Sequence, residues 1–262
     1  MLLAVDLRND CLAVGVRGPE GWVGRFRLAA ADRSADEWAF LIAALLRERG
    51  VDPGGLRRAA LSSVVPVYTQ RFRAAMSALV PSDPAPLVVG PGIKTGLRIR
   101  TDHPGEVGAD LVCNAVAAVA RLGAPCLAVD FGAALSITAV DSAGDLVGAV
   151  IAPGLETAAA TLRERAAQLP QVRLDAPGRV IGRNTAEAVR SGLLVGWAGL
   201  VDRLVADACR ELAGADGAAA VGLAGTGDYP RPPVAVGRPF AVWDPWLALD
   251  GLALIAERNP AT

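Results

Sequence analysis

The chain has 262 residues, of which 52% are apolar and only 5% aromatic, with a formal net charge of −1. Such a length suits one large domain or two ordinary ones, and the balanced charge leaves no basic footprint for nucleic acid. No apolar run approaches the ~20 residues that cross a bilayer, so no membrane partner is expected. The opening MLLAVDLRND lacks the basic and long apolar segments of a signal peptide, and a cytoplasmic protein is expected. Cys11, Cys113, Cys126 and Cys209 are scattered without metal-ligand spacing and read as reduced thiols, three of them within apolar runs that suit a core. Among 26 basic residues the only Lys is Lys94, and the only His is His103, close by in the same segment.

In chain order, residues 2–26 predict a buried strand, a turn carrying Asp6, a second strand, a Gly-bearing turn and a third strand. Residues 34–49 predict an amphipathic helix, with Ser34 as N-cap and Glu37 completing a capping box. Residues 58–65 and 86–90 read as short buried strands. An apolar helix is expected over 106–121, crossed by a stripe of Glu106, Asp110 and Asn114 at i, i+4 and i+8. Residues 126–150 then repeat residues 2–26 without gaps, with seven of 25 positions identical and Asp130 falling on Asp6. Helices are expected over 155–168 and 186–212, the second opened by a capping box from Asn184 to Glu187. A strand over 219–224 leads to Gly225-Thr-Gly227, and a helix over 247–257 closes the chain. Duplication of an α/β unit follows, with domains at 1–122 and 123–262 and a cleft between them.

Asp6 and Asp130 admit two readings. Each could cap a turn at a strand end. Alternatively, the turn amides point at phosphate oxygens while the carboxylate binds Mg²⁺ or its water. Two such residues in register within a duplicated chain favour the nucleotide reading. Asp110 is likewise either a cleft-facing carboxylate or part of a solvated helix face.

Several stretches carry a more specific likeness: Ser62-Ser-Val-Val-Pro66, Pro91-Gly-Ile-Lys-Thr-Gly96, Asp102-His-Pro104, Val107-Gly-Ala-Asp110, Val129-Asp-Phe-Gly132, Ala152-Pro-Gly154, Ile181-Gly-Arg-Asn-Thr185 and Gly199-Leu-Val-Asp202. In this order and spacing the chain resembles the type III pantothenate kinases of the actin-like ATPase superfamily. The resemblance implies a duplicated, ribonuclease H-like α/β fold and transfer of the γ-phosphoryl of ATP to the terminal hydroxyl of pantothenate. It also implies a dimer, Mg²⁺ and a monovalent cation, K⁺ or NH₄⁺. By the same resemblance Asp110 is the general base, while Asp6 and Asp130 are the metal-side carboxylates of the two phosphate loops. Lys94, Thr95, Gly96 and Gly108 fall to the pantothenate site, and Thr185 to a residue donated across the dimer interface.

The departures cluster on the phosphate machinery. The family's first loop reads Asp-x-Gly-Asn-Thr, where this chain has Asp6, Leu7, Arg8, Asn9 and Asp10. Leu111 stands where the family has Arg after its base, and Ala133 where it has Thr after Gly132. Gly225-Thr-Gly227 replaces Thr-Gly-Gly, and His103 replaces Asn. Two alternatives to a kinase active by itself therefore stand. One is a degenerate subunit working beside an intact paralogue in a heterodimer; the other is a non-catalytic pseudokinase that binds pantothenate or a related small acid.

Overall fold

A computed structural model describes residues 1–80, 84–166, 168–229, 231–234 and 236–260. The chain divides into two compact units, Met1–Ala117 with Trp246–Thr262 and Ala118–Pro245. In the first unit, β1 (Leu2–Leu7), β2 (Cys11–Gly18), β3 (Gly21–Ala29), β4 (Arg58–Ser63) and β5 (Leu87–Val88) form one sheet in the order β3-β2-β1-β4-β5. In the second, β6 (Cys126–Phe131), β7 (Ala134–Val140), β8 (Leu146–Pro153), β9 (Gly222–Gly227) and β10 (Val242–Trp243) form another in the order β8-β7-β6-β9-β10. The orders are the same once the copies are superimposed. Each unit opens with an antiparallel hairpin whose first strand also pairs in parallel with a later one. Even the register shift between the second and third strands recurs, beside Val16 in the β2–β3 pair and beside Val140 in the β7–β8 pair.

Helices α1 (Ala35–Glu48) and α2 (Pro66–Leu79) pack together in the first unit, where Trp38 and Phe72 meet with ring centroids 4.8 Å apart. The expected capping box at Ser34 and Glu37 is present in both directions. Leu3, Val5 and Leu7 of β1 and Leu12, Val14 and Val16 of β2 join this core, as alternation along a strand requires. Intervening positions are smaller: Ala4 pairs with Gly15, and Asp6 with Ala13. A Cβ at Gly15 would meet Leu249, so this smaller face admits α6 (Leu247–Arg258) close to the sheet. Placing α6 with the second half of the chain is therefore corrected, because it packs on β1, β2 and β4.

Helix α3 (Ala109–Leu122) starts later than expected, after a 3₁₀ turn at Pro104–Glu106, so Glu106 is not on it. The proposed stripe reduces to Asp110 and Asn114. In the second unit, α4 (Leu155–Arg165) stops short of residue 168, and residue 167 of that expected helix lies outside the described residues. The segment α5 (Thr185–Gly217), helical apart from a break at Gly214, turns Leu194, Trp197, Val201 and Val205 into the second core. At its start Asn184 accepts from the Glu187 N–H as expected, but the Glu187 carboxylate reaches back to the N–H of Arg183 instead of Asn184. Among the described residues no helix is long and apolar enough to cross a membrane.

Burial, and then the charge of Asp6, push the Cys113 thiol well above its ordinary value; burial raises Cys126 to about 12 and also raises Cys209. Thiolate, not thiol, reacts with disulfide reagents. A native-state thiol titration should therefore find only the partly exposed Cys11 fast, and all four after unfolding.

Candidate active site

The first copy of the duplicated turn brings Asp6 and Arg8 together. Asp6 sits near the end of β1, 1% exposed, and pairs in parallel register with Ser62 of β4. Its two carboxylate oxygens have separate donors: the Ser62 hydroxyl reaches Oδ1 at 2.7 Å, and Arg8 Nε reaches Oδ2 at 2.8 Å. Arg8 is itself largely buried, at 13% exposure, and its N–H closes the turn on the carbonyl of Cys11. Asn9 and Asp10 are exposed at the tip, where the Asp10 carbonyl accepts from the Ala30 N–H.

The second copy is built differently at the same positions. Asp130 is 4% exposed and in register with Thr226 of β9, as Asp6 is with Ser62. The Thr226 hydroxyl is buried with no hydrogen-bond partner. Gly132 stands where Arg8 stands in the first copy. Backbone crowds this turn: a Cβ at Gly154 would lie 2.1 Å from the Gly132 carbonyl, and one at Gly227 would lie 2.3 Å from the Phe131 carbonyl. The exposed Ala133 gives its carbonyl to the N–H of Gly154 and the hydroxyl of Thr157. Asp130 with an unsatisfied hydroxyl beside it fits a bound cation or its water; Asp6, with Arg8 and Ser62 on its two oxygens, does not.

Asp110 lies in the first turn of α3, with Oδ1 accepting from the N–H of Leu111 at 2.8 Å. It shares its surroundings with the first loop, since Asp6, Asp110 and Arg8 all act electrostatically on Cys113 one turn further along. Leu111 follows Asp110 and is buried at 8% exposure.

Beside Asp110 opens a cavity of about 730 Å³, bounded by the 90–93 segment, Thr95, Leu97 and the 104–109 segment, Gly108 included. Thr95 is buried and bonds across its own turn to Leu97, and Gly96 takes φ +86°, a left-handed conformation that favours glycine. The end of α6 fixes this loop. The Asn259 side chain pairs with both the N–H and the carbonyl of Lys94, and Arg258 reaches the Thr95 carbonyl at 3.2 Å. Sequence reading missed these two residues, because nothing in their spacing ties them to a loop 163 positions earlier. The Lys94 side chain is exposed, as is His103 at the start of the following 3₁₀ turn. Thr185 is exposed at the first position of α5.

Gly108 tests how tightly Asp110 is set. A Cβ there would lie 2.5 Å from Asp110 Oδ1 and force the carboxylate to move. Gly108→Ala should lower turnover about 10²-fold, as small displacements of a reacting group do, without lowering the melting temperature. Steady-state kinetics beside a thermal melt checks this.

Two strand-turn-strand units, each with a buried Asp near the end of its first strand and the same strand order, give the actin-like ATPase fold. The activator of the 2-hydroxyisocaproyl-CoA dehydratase from Clostridium difficile, solved with bound ADPNP, has the same fold. It aligns with a TM-score of 0.55 over 98% of this chain and 94% of its own, at 9% identity. Within that class, the profile of the type III pantothenate kinases matches residues 2–207. A type III pantothenate kinase from Dehalococcoides mccartyi is 37% identical over 99% of this chain and 98% of its own length. One from Streptomyces coelicolor is 39% identical over the same shares. The chain belongs to the type III pantothenate kinase family. Membership implies ATP as phosphoryl donor and a divalent metal.

Proposed function

We propose that the chain transfers the γ-phosphoryl group of ATP to the terminal hydroxyl of pantothenate. The observation that carries this reading is Asp110, held at the start of α3 where the 104–109 wall of the cavity ends. Pantothenate occupies that cavity, lined by Thr95 and Gly108, with Gly96 turning the loop that Arg258 and Asn259 hold. Asp110 accepts the proton as the hydroxyl oxygen attacks the γ-phosphorus. The bond from that phosphorus to the bridging oxygen breaks, and ADP leaves. Phosphoryl transfer depends mostly on positioning and electrostatics, so the 132–133 turn and its Gly154 support matter as much as the base.

The divalent metal belongs with Asp130 and Thr226, and when bound it would neutralise charge on the phosphate oxygens. A monovalent cation, K⁺ or NH₄⁺, follows the family pattern. Exposed apolar side chains on α5, Val195 and Leu200, flank Gly192, Gly196 and Gly199, none of which has a neighbour where a Cβ would sit. This face supports a dimer, in which Thr185 would serve the neighbouring site. Light scattering at micromolar concentration should find twice the chain mass, and a monomer would contradict the dimer.

The Arg8–Asp6 pair favours a second reading, in which the chain binds pantothenate but needs an intact paralogue for efficient transfer, or binds without chemistry. Calorimetry separates these readings. Both predict heat on adding pantothenate, and only the first predicts tight binding of Mg-ATP to the chain by itself. Absence of pantothenate binding would sink both.

A further inference from the structure

We propose that Arg58 and Asn259 are positioning residues for the acceptor, acting on it as a relay through the backbone of Lys94. The relay rests on reading the cavity beside Asp110 as the acceptor site. Neither Arg58 nor Asn259 lines that cavity. They meet at the end of α6, where the last carbonyls of a helix have no partner within it. Two of those carbonyls are taken up by these side chains. Arg58, at the start of β4, gives Nη2 to the Ala256 carbonyl at 2.9 Å and to the Asn259 carbonyl at 2.6 Å. Asn259 gives Nδ2 to the Ile255 carbonyl at 2.8 Å. The Arg58 cation also suits the negative end of the helix.

Held in this way, Asn259 faces the loop with the rest of its amide. Nδ2 also donates to the Lys94 carbonyl at 2.9 Å, and Oδ1 accepts from the Lys94 N–H at 3.1 Å. Both N–H groups and the oxygen of the amide are thus engaged, so the side chain cannot turn without releasing the loop. Arg258 adds a bond to the Thr95 carbonyl, and its Nε lies 2.5 Å from where a Cβ would stand on Gly96. Thr95 does line the cavity, and its backbone is therefore set from behind by the end of α6. A loop fixed before the acceptor arrives spares the cost of ordering it on binding.

Calorimetry with pantothenate on the full-length chain tests the relay. Asn259→Ala should weaken binding roughly tenfold, as the loss of two hydrogen bonds to the loop predicts. Arg58→Met keeps the apolar stem but removes the donors, and should weaken binding about fivefold. Added to Asn259→Ala it should cost less than about a further twofold, because the relay is already cut. In turnover the loss should fall on KM for pantothenate at an unchanged kcat. A chain that is merely destabilised would instead bind at lower stoichiometry with the same affinity. Wild-type affinity in Asn259→Ala, or losses that multiply in the double variant, would overturn the proposal. Should either variant fail to fold, Asn259→Asp takes its place. It keeps the size of Asn but sets a carboxylate against the Lys94 and Ile255 carbonyls, so wild-type affinity there would be equally fatal. If the wild-type chain binds no pantothenate, the acceptor reading falls, and amide exchange followed by mass spectrometry decides the relay. Faster exchange over residues 93–97 in Asn259→Ala upholds it, and unchanged exchange removes it.

Discussion

Asp110→Asn should abolish phosphorylation of pantothenate while leaving its binding largely intact. Asn keeps the shape of Asp, and its amide oxygen can accept from the Leu111 N–H as Asp110 Oδ1 does at 2.8 Å. It cannot take the hydroxyl proton. General-base removal costs about 10²- to 10⁴-fold in turnover, so kcat should fall by at least about 10²-fold at an unchanged pantothenate affinity. Turnover assays beside calorimetry check both halves. An equal fall in affinity and turnover would instead mean that Asp110 grips the acceptor rather than activating it.

The largest effect on stability is expected at Gly251→Ala. A Cβ at this position of α6 would lie 1.8 Å from the Cys113 carbonyl and 2.6 Å from its carbon, both backbone atoms of α3. Neither can rotate away, so the two helices must separate. Their surroundings are fully buried: Cys113, Leu249, Leu252 and Ile255 are each 0% exposed. Overpacking a tight core costs about 1–3 kcal/mol, and displacement of backbone puts this case at about 3 kcal/mol or above. Urea unfolding monitored by circular dichroism should show a lower midpoint with an unchanged slope. Because Arg258 and Asn259 at the end of α6 hold the 94–95 segment, pantothenate affinity should fall as well.

How legible this molecule is from its sequence differs by level. Duplication is readable, because strands and turns are local and the Asp6–Asp130 register survives in identical residues; the two sheets then share one strand order. Helix caps at Ser34 and Asn184 are readable for the same reason, since each depends on a residue three positions away. The return of α6 to the first sheet is not readable. Its buried residues run from Leu247 through Ala256, and an apolar pattern does not say which sheet it covers. Nor does periodicity separate Glu106, in a 3₁₀ turn, from the helix that begins at Ala109. At the site, Asp110 and the 91–96 loop stand out through family resemblance. By contrast, the ion pair that occupies Asp6 depends on where a long Arg side chain folds back, and the clamp from Asn259 on a contact across 165 residues.

The most direct test of the account is whether the purified chain makes phosphopantothenate. The chain is incubated with ATP, Mg²⁺, K⁺ and pantothenate, and the products are resolved by mass spectrometry, with Asp110→Asn as the control. The account predicts pantothenate carrying one added phosphate, formed in step with ADP and absent from the Asp110→Asn sample. ADP release without a phosphorylated acid, or phosphopantothenate formed equally by the Asp110→Asn chain, would contradict it.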